Sequence, residues 1–62
     1  MIYEIYCSRI NEAGQREFKY YYKYSRVLAL YTAQYGIGKE WDSVTLRVKK
    51  TLETIWEKQE EL

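Results

Sequence analysis

The chain of 62 residues has no histidine, no proline, a single cysteine and three glycines. Without histidine, no side chain titrates near neutral pH unaided, and neither a Ser-His-Asp nor a Cys-His arrangement can be assembled. Cys7 alone forms no intramolecular disulfide, and one thiol without imidazole leaves a structural zinc site short of its usual ligands. A reducing cytoplasm is therefore the expected setting. No apolar run exceeds Val27-Leu28-Ala29-Leu30-Tyr31, far too short to span a bilayer. The start, Met1-Ile2-Tyr3-Glu4-Ile5-Tyr6, lacks the basic opening and apolar stretch of a signal peptide, so no membrane is expected. The carboxylates Glu4, Glu12, Glu17, Glu40 and Asp42 lie scattered, with no spacing that demands a metal or an acid/base pair. Gly36-Ile37-Gly38-Lys39 lacks the Ser/Thr and the spacing of a phosphate loop and is explained by helix termination. No catalytic residue, metal or cofactor is expected, and the chain does not read as an enzyme.

Aromatic residues are abundant, at 18%, and eight of them are tyrosines. Charged residues make up 31% with a net charge of +1, but that near-neutral total hides a split. Residues 1–50 carry nine Lys/Arg against five Asp/Glu, and residues 51–62 one against four. The body is basic and the tail acidic, the latter reading as a solvated terminal helix. One small domain over residues 1–62 is expected. Such a chain buries only about 60% of the surface exposed when unfolded, and its folding balance lies near zero. A homodimer covering part of the tyrosine surface would relieve that.

Two glycine-marked breaks divide the chain. Residues 1–10 read as a strand with Met1, Tyr3, Ile5 and Cys7 on one side. Residues 16–24 alternate, with Phe18, Tyr20, Tyr22 and Tyr24 on one face and Glu17, Lys19, Tyr21 and Lys23 on the other. A hairpin through Gly14 is expected to join them. Ser25 sits where an N-cap belongs, and Val27, Leu28, Tyr31 and Tyr35 recur at helical spacing, predicting a helix over 26–35. Gly36 followed by Ile37 matches a left-handed C-cap. Beyond residue 41 two templates fit. The β-branched residues of 44–48 favour a third strand at about 43–50, and the Glu/Lys/Gln-rich remainder favours a terminal helix from about 52.

The expected fold is α+β: a three-stranded antiparallel sheet with a helix packed on one face and a C-terminal helix, ββαβα. The alternative is ββαα with a single long C-terminal helix. The expected core holds Tyr3, Ile5, Phe18, Tyr20, Tyr22, Val27, Leu28, Tyr31, Leu46 and Val48. The far face of the sheet would then gather Lys19, Tyr21 and Lys23 with Arg47 and Lys49, and Tyr6 joins them as a candidate partner-binding residue. Interleaved rings and cations suit two kinds of partner. Bases of single-stranded nucleic acid stack on tyrosine at about 1–3 kcal/mol each. Tyr and Arg equally dominate protein hot spots. Dedicated nucleic-acid modules usually show a pI above about 9, whereas this chain's is about 7.8. A larger protein or nucleoprotein complex is therefore the leading partner and single-stranded nucleic acid the alternative.

The tyrosine-rich hairpin from Tyr3 to Tyr24, the short helix ending at Gly36 and the charged stretch Glu53 to Leu62 resemble the layout of very small phage-encoded anti-defence proteins, including anti-CRISPR inhibitors. That resemblance implies a non-enzymatic inhibitor acting on a host nuclease complex in the host cytoplasm. Tyr21-Tyr22-Lys23-Tyr24 is also similar to the Tyr-Tyr-x-Tyr strand of a phage inhibitor of uracil-DNA glycosylase. That inhibitor mimics DNA with an acidic surface, whereas here the matching strand bears Lys19 and Lys23. The departure implies that this face does not mimic DNA, and no residue role is carried over.

Overall fold

A computed structural model describes residues 1–59. Its first strand, β1, covers Tyr3–Ile10, and the second, β2, covers Arg16–Lys23. Helix α1 follows at Arg26–Gln34, then a 3-10 helix at Ile37–Glu40, then β3 at Ser43–Val48 and β4 at Thr54–Lys58. The strands form one antiparallel sheet in the order β2-β1-β3-β4.

The hairpin between β1 and β2 is built by its own side chains. Asn11 Oδ1 accepts from the backbone N–H groups of Ala13 (3.0 Å) and Gln15 (2.9 Å), and Gly14 takes the left-handed conformation at φ 79°. Only glycine adopts that conformation without penalty. Asn11 N–H closes the loop on Gln15 O at 2.8 Å. The ladder that results sets Ile5 opposite Tyr21, Tyr6 opposite Tyr20 and Cys7 opposite Lys19.

Ser25 caps α1 as its position in the sequence predicts: it is extended (φ −115°, ψ 130°) and its Oγ accepts from Leu28 N–H at 3.4 Å. The helix lies on the sheet through Ala29 and Ala33, one turn apart and both buried against Ile5, Cys7, Val44 and Leu46. Small residues at those positions bring the helix close to the strands. Trp41, with Arg9 Cζ 4.4 Å above its ring, closes one end of this core.

Several expectations are corrected. The sheet has four strands among the described residues, not three, and the stretch expected to be a terminal helix forms β4. The part of that expectation on residues 60–62 lies outside the described residues. Leu52 stands at φ 61°, and Val48 N–H donates to Glu53 O at 2.9 Å, so the chain turns back on β3. Thr54, Trp56, Glu57 and Lys58 then find ladder partners that an isolated helix would not supply. A register shift opposite Leu46/Arg47 inserts Ile55 as an extra residue, which breaks the period of two and imitates a helical pattern.

The core expectation is right for Tyr3, Ile5, Leu46 and Val48, which are buried, and wrong for six others. Phe18, Tyr20 and Tyr22 on β2 are exposed, as are Val27, Leu28 and Tyr31 on α1. On the helix these residues, with Tyr35, lie opposite Ala29 and Ala33 and face solvent. Gly36 is not left-handed; it is needed because a Cβ there would stand 3.1 Å from Thr32 Cα and O.

Candidate interaction surface

Opposed residues in an antiparallel ladder share a face, so the register assigns every strand side chain. Tyr3, Ile5 and Cys7 face the helix, together with Val44, Leu46 and Val48. Glu17, Lys19, Tyr21 and Lys23 must therefore point to the helix side of β2, at the rim of the core. The even-numbered residues of β1 and β2 lie on the other face, which no described element covers.

That open face is ordered in rows across the strands. One row runs Tyr22, Glu4, Arg47; the next runs Tyr20, Tyr6, Thr45, Glu57; a third runs Phe18, Ser8, Ser43. Tyr6 organises the aromatic part. Its ring lies 4.9 Å from that of Tyr20, tilted by 49°, and 5.9 Å from that of Phe18 at 27°, within the range where ring pairs attract. Phe18, Tyr20 and Tyr22 remain 56%, 49% and 46% exposed despite these contacts. Successive rings on one strand face are spaced by about 7 Å, two residues of rise.

The cations of this face are engaged. Arg47 Nε donates to Glu4 Oε1 at 2.7 Å, and the Glu4 side chain is almost wholly buried beneath the pair. Lys49 Nζ sits 4.9 Å above the Tyr22 ring, and Arg16 reaches back to Ser8 Oγ at 3.4 Å. On the helix side of the edge, Lys19 Nζ lies 5.6 Å from the Tyr21 ring. Glu17 there accepts from Arg9 Nε at 2.9 Å and from Asn11 Nδ2 at 3.1 Å. Those two hydrogen bonds, with the Arg9 charge, hold its carboxyl below the ordinary carboxylate value despite some desolvation.

The six residues expected to form one surface thus fall on two. Tyr6, Arg47 and Lys49 lie on the open face, and Lys19, Tyr21 and Lys23 on the helix side of β2. The residues missed are Phe18, Tyr20, Tyr22 and the counter-ion Glu4. The signal that identifies them is the turn: a loop centred on Ala13 pairs Tyr6 with Tyr20 and Ile5 with Tyr21, so burying Ile5 forces Tyr20 outward.

Cys7 is fully buried, and burial pushes its thiol above the ordinary value, with Lys58 opposing weakly. It packs in the core as a small hydrophobe. Among the described residues no three His, Cys, Asp or Glu side chains gather as metal ligands, and no helix is long and apolar enough to cross a membrane. No protein-family model, curated protein or solved structure matches the chain.

Proposed function

We propose that this chain is a non-enzymatic binding protein, an inhibitor or adaptor that docks on a larger protein through the open face of its sheet. The observation that supports this most is the band of Tyr6, Phe18, Tyr20 and Tyr22, half-exposed on a face without a covering layer. Tyrosine and phenylalanine offer large rigid contact area for the loss of two side-chain torsions, and a phenol hydroxyl can hydrogen-bond at the rim. Rings held against one another by Tyr6 are already ordered, which lowers the entropy lost on docking.

The electrostatics favour a protein over a polyphosphate. Arg47 is neutralised by Glu4, Lys49 is drawn onto Tyr22, and Glu57 stands on the same face. A phosphate backbone needs several cations free to displace counterions. One observation favours the second reading, single-stranded nucleic acid: the ring row Phe18-Tyr20-Tyr22 has Arg16 at one end and Lys49 by the other, a ladder on which bases stack.

The test is affinity capture from lysate with the wild-type chain and a Phe18→Ala/Tyr20→Ala variant, with and without nuclease. Both replaced side chains are exposed, so far-UV circular dichroism should show the fold retained. The expected result is nuclease-resistant capture of a protein by wild type and its loss in the variant. Equal capture by both would place the docking surface elsewhere. Capture that disappears with nuclease would transfer the assignment to nucleic acid.

A further inference from the structure

The described sheet has two edges of different character. β4 is five residues long and its pairing with β3 is broken by a bulge. β2 is eight residues long and pairs with β1 in unbroken register. The bond from Asn11 N–H to Gln15 O sets the phase of that ladder. Bonded and non-bonded pairs alternate, so the odd-numbered residues of β2 bond to β1, and Arg16, Phe18, Tyr20 and Tyr22 aim their N–H and C=O groups at the free edge. Proline, bulges and short length usually blunt such an edge, and β2 has none of these. Its protection is charge: Lys19 and Lys23 repel a cationic strand and would lose hydration beneath a neutral one.

We propose that the occupant of this edge is β2 of a second copy, paired antiparallel about a two-fold axis through Tyr20. A two-fold axis normal to the sheet keeps each residue on its own face, so a residue can only meet one of its own parity. Two registers then bring seven strand residues together. Centred on Lys19, the axis sets that lysine against itself and leaves Glu17 facing Tyr21. Centred on Tyr20, it sets Glu17 against Lys23 twice, Lys19 against Tyr21 twice, Phe18 against Tyr22 twice, and Tyr20 against its own mate. The second register pairs Glu17 with Lys23 and sets Lys19 against a ring, with no like charges opposed. The lysines that reject other strands accept this one because it brings its own carboxylate. Glu17 is ready for that role, since Arg9 and Asn11 already fix its carboxylate and leave acceptor sites for an ammonium group.

The dimer is one eight-stranded sheet with both helices on the same side. The Phe18, Tyr20 and Tyr22 rings of the two copies adjoin across the axis and double the aromatic band. The pairing stands independently of the docking proposed above, because it rests on the edge and its charge pattern.

Sedimentation velocity over micromolar concentrations tests it, with circular dichroism to confirm each fold. Wild type should show a concentration-dependent monomer–dimer equilibrium. Lys23→Glu and Glu17→Lys, measured separately, should each weaken the dimer about tenfold or more, because each sets like charges opposite one another twice. Mixing the two variants should restore dimer, since the mixed pair has opposite charges at both ends. A wild-type chain that stays monomeric throughout the range overturns the proposal. So does a dimer that Lys23→Glu leaves unchanged, or a folded pair of variants that fails to associate on mixing. If Glu17→Lys does not fold, for want of its Arg9 and Asn11 contacts, Lys23→Glu decides alone: a dimer as tight as wild type is fatal.

Discussion

Arg47 was expected to face a partner, yet its guanidinium grips a carboxylate that is nearly buried, with Arg47 side-chain exposure of 31% and Glu4 of 9%. Replacing Arg47 by Met keeps most of the apolar stem and removes the charge, leaving Glu4 in a poorly hydrated site. Breaking a fully buried pair costs about 3–5 kcal/mol; because water reaches part of this guanidinium, about 2 kcal/mol is the reasoned figure. A domain of this length has about 3–9 kcal/mol of total stability, so the loss is a large fraction of it. Glu4→Gln should cost less, about 1 kcal/mol, because the stranded Arg47 can turn to water. The double variant strands no charge and should also cost about 1 kcal/mol. The cycle then yields a coupling of about 2 kcal/mol. The assay is urea unfolding of the four proteins, compared at equal m-value. Additive single effects, with a coupling under about 0.5 kcal/mol, would refute the reasoning and return Arg47 to the surface as a free contact residue. The outcome also governs how binding data are read: an Arg47 variant that fails to capture a partner is informative only where it is still folded.

Two further outcomes follow from the same geometry. Hydrogen bonds from Arg9 and Asn11 lower the folded-state value of the Glu17 carboxyl, so the stabilisation they bring is present above the ordinary carboxylate value and lost as pH falls through the folded value. Thermal melts between about pH 5 and pH 3 should therefore decline more steeply for wild type than for Glu17→Gln, and parallel curves would contradict the assignment. Ala33→Leu forces a larger side chain between helix and sheet and should cost about 1–3 kcal/mol, whereas Tyr31→Ala, on the outward side, should stay within about 0.5 kcal/mol. Melting temperatures separate the two, and a reversed order would mean that α1 buries its other side.

The elements that local chemistry decides were legible. Ser25 with the apolar residues after it marked the helix start, Gly14 marked the hairpin, and the alternation of Tyr3, Ile5 and Cys7 marked the buried side of β1. What failed depended on partners distant in sequence. Ile55 and Trp56 are strand residues because β3 lies beside them, and the bulge at Leu46/Arg47 removes the periodicity that would announce it. The charge density of Glu53, Glu57 and Lys58 suits a helix equally well, so composition alone could not choose.

The two errors of facing, on β2 and on α1, have one cause. In each case the bulkier stripe is the one that the tendency of large apolar side chains to go inside points to. That principle supposes an interior with room. Here a nine-residue helix lies across β1, β2 and β3, and Ile5, Cys7, Val44, Leu46 and Trp41 occupy the space beneath it. Alanine occupies the centre of the helix underside with Leu30 packed at its margin, and Val27, Leu28 and Tyr31 are turned out by exclusion. On β2 the loop register makes the same choice, because Ile5 cannot be buried without turning Tyr20 outward. Among the eight tyrosines Tyr3 alone is buried, with Tyr6 and Tyr21 half-buried and the rest exposed. The smallness of the core thus leaves the rings of Phe18, Tyr20 and Tyr22 on the open sheet face.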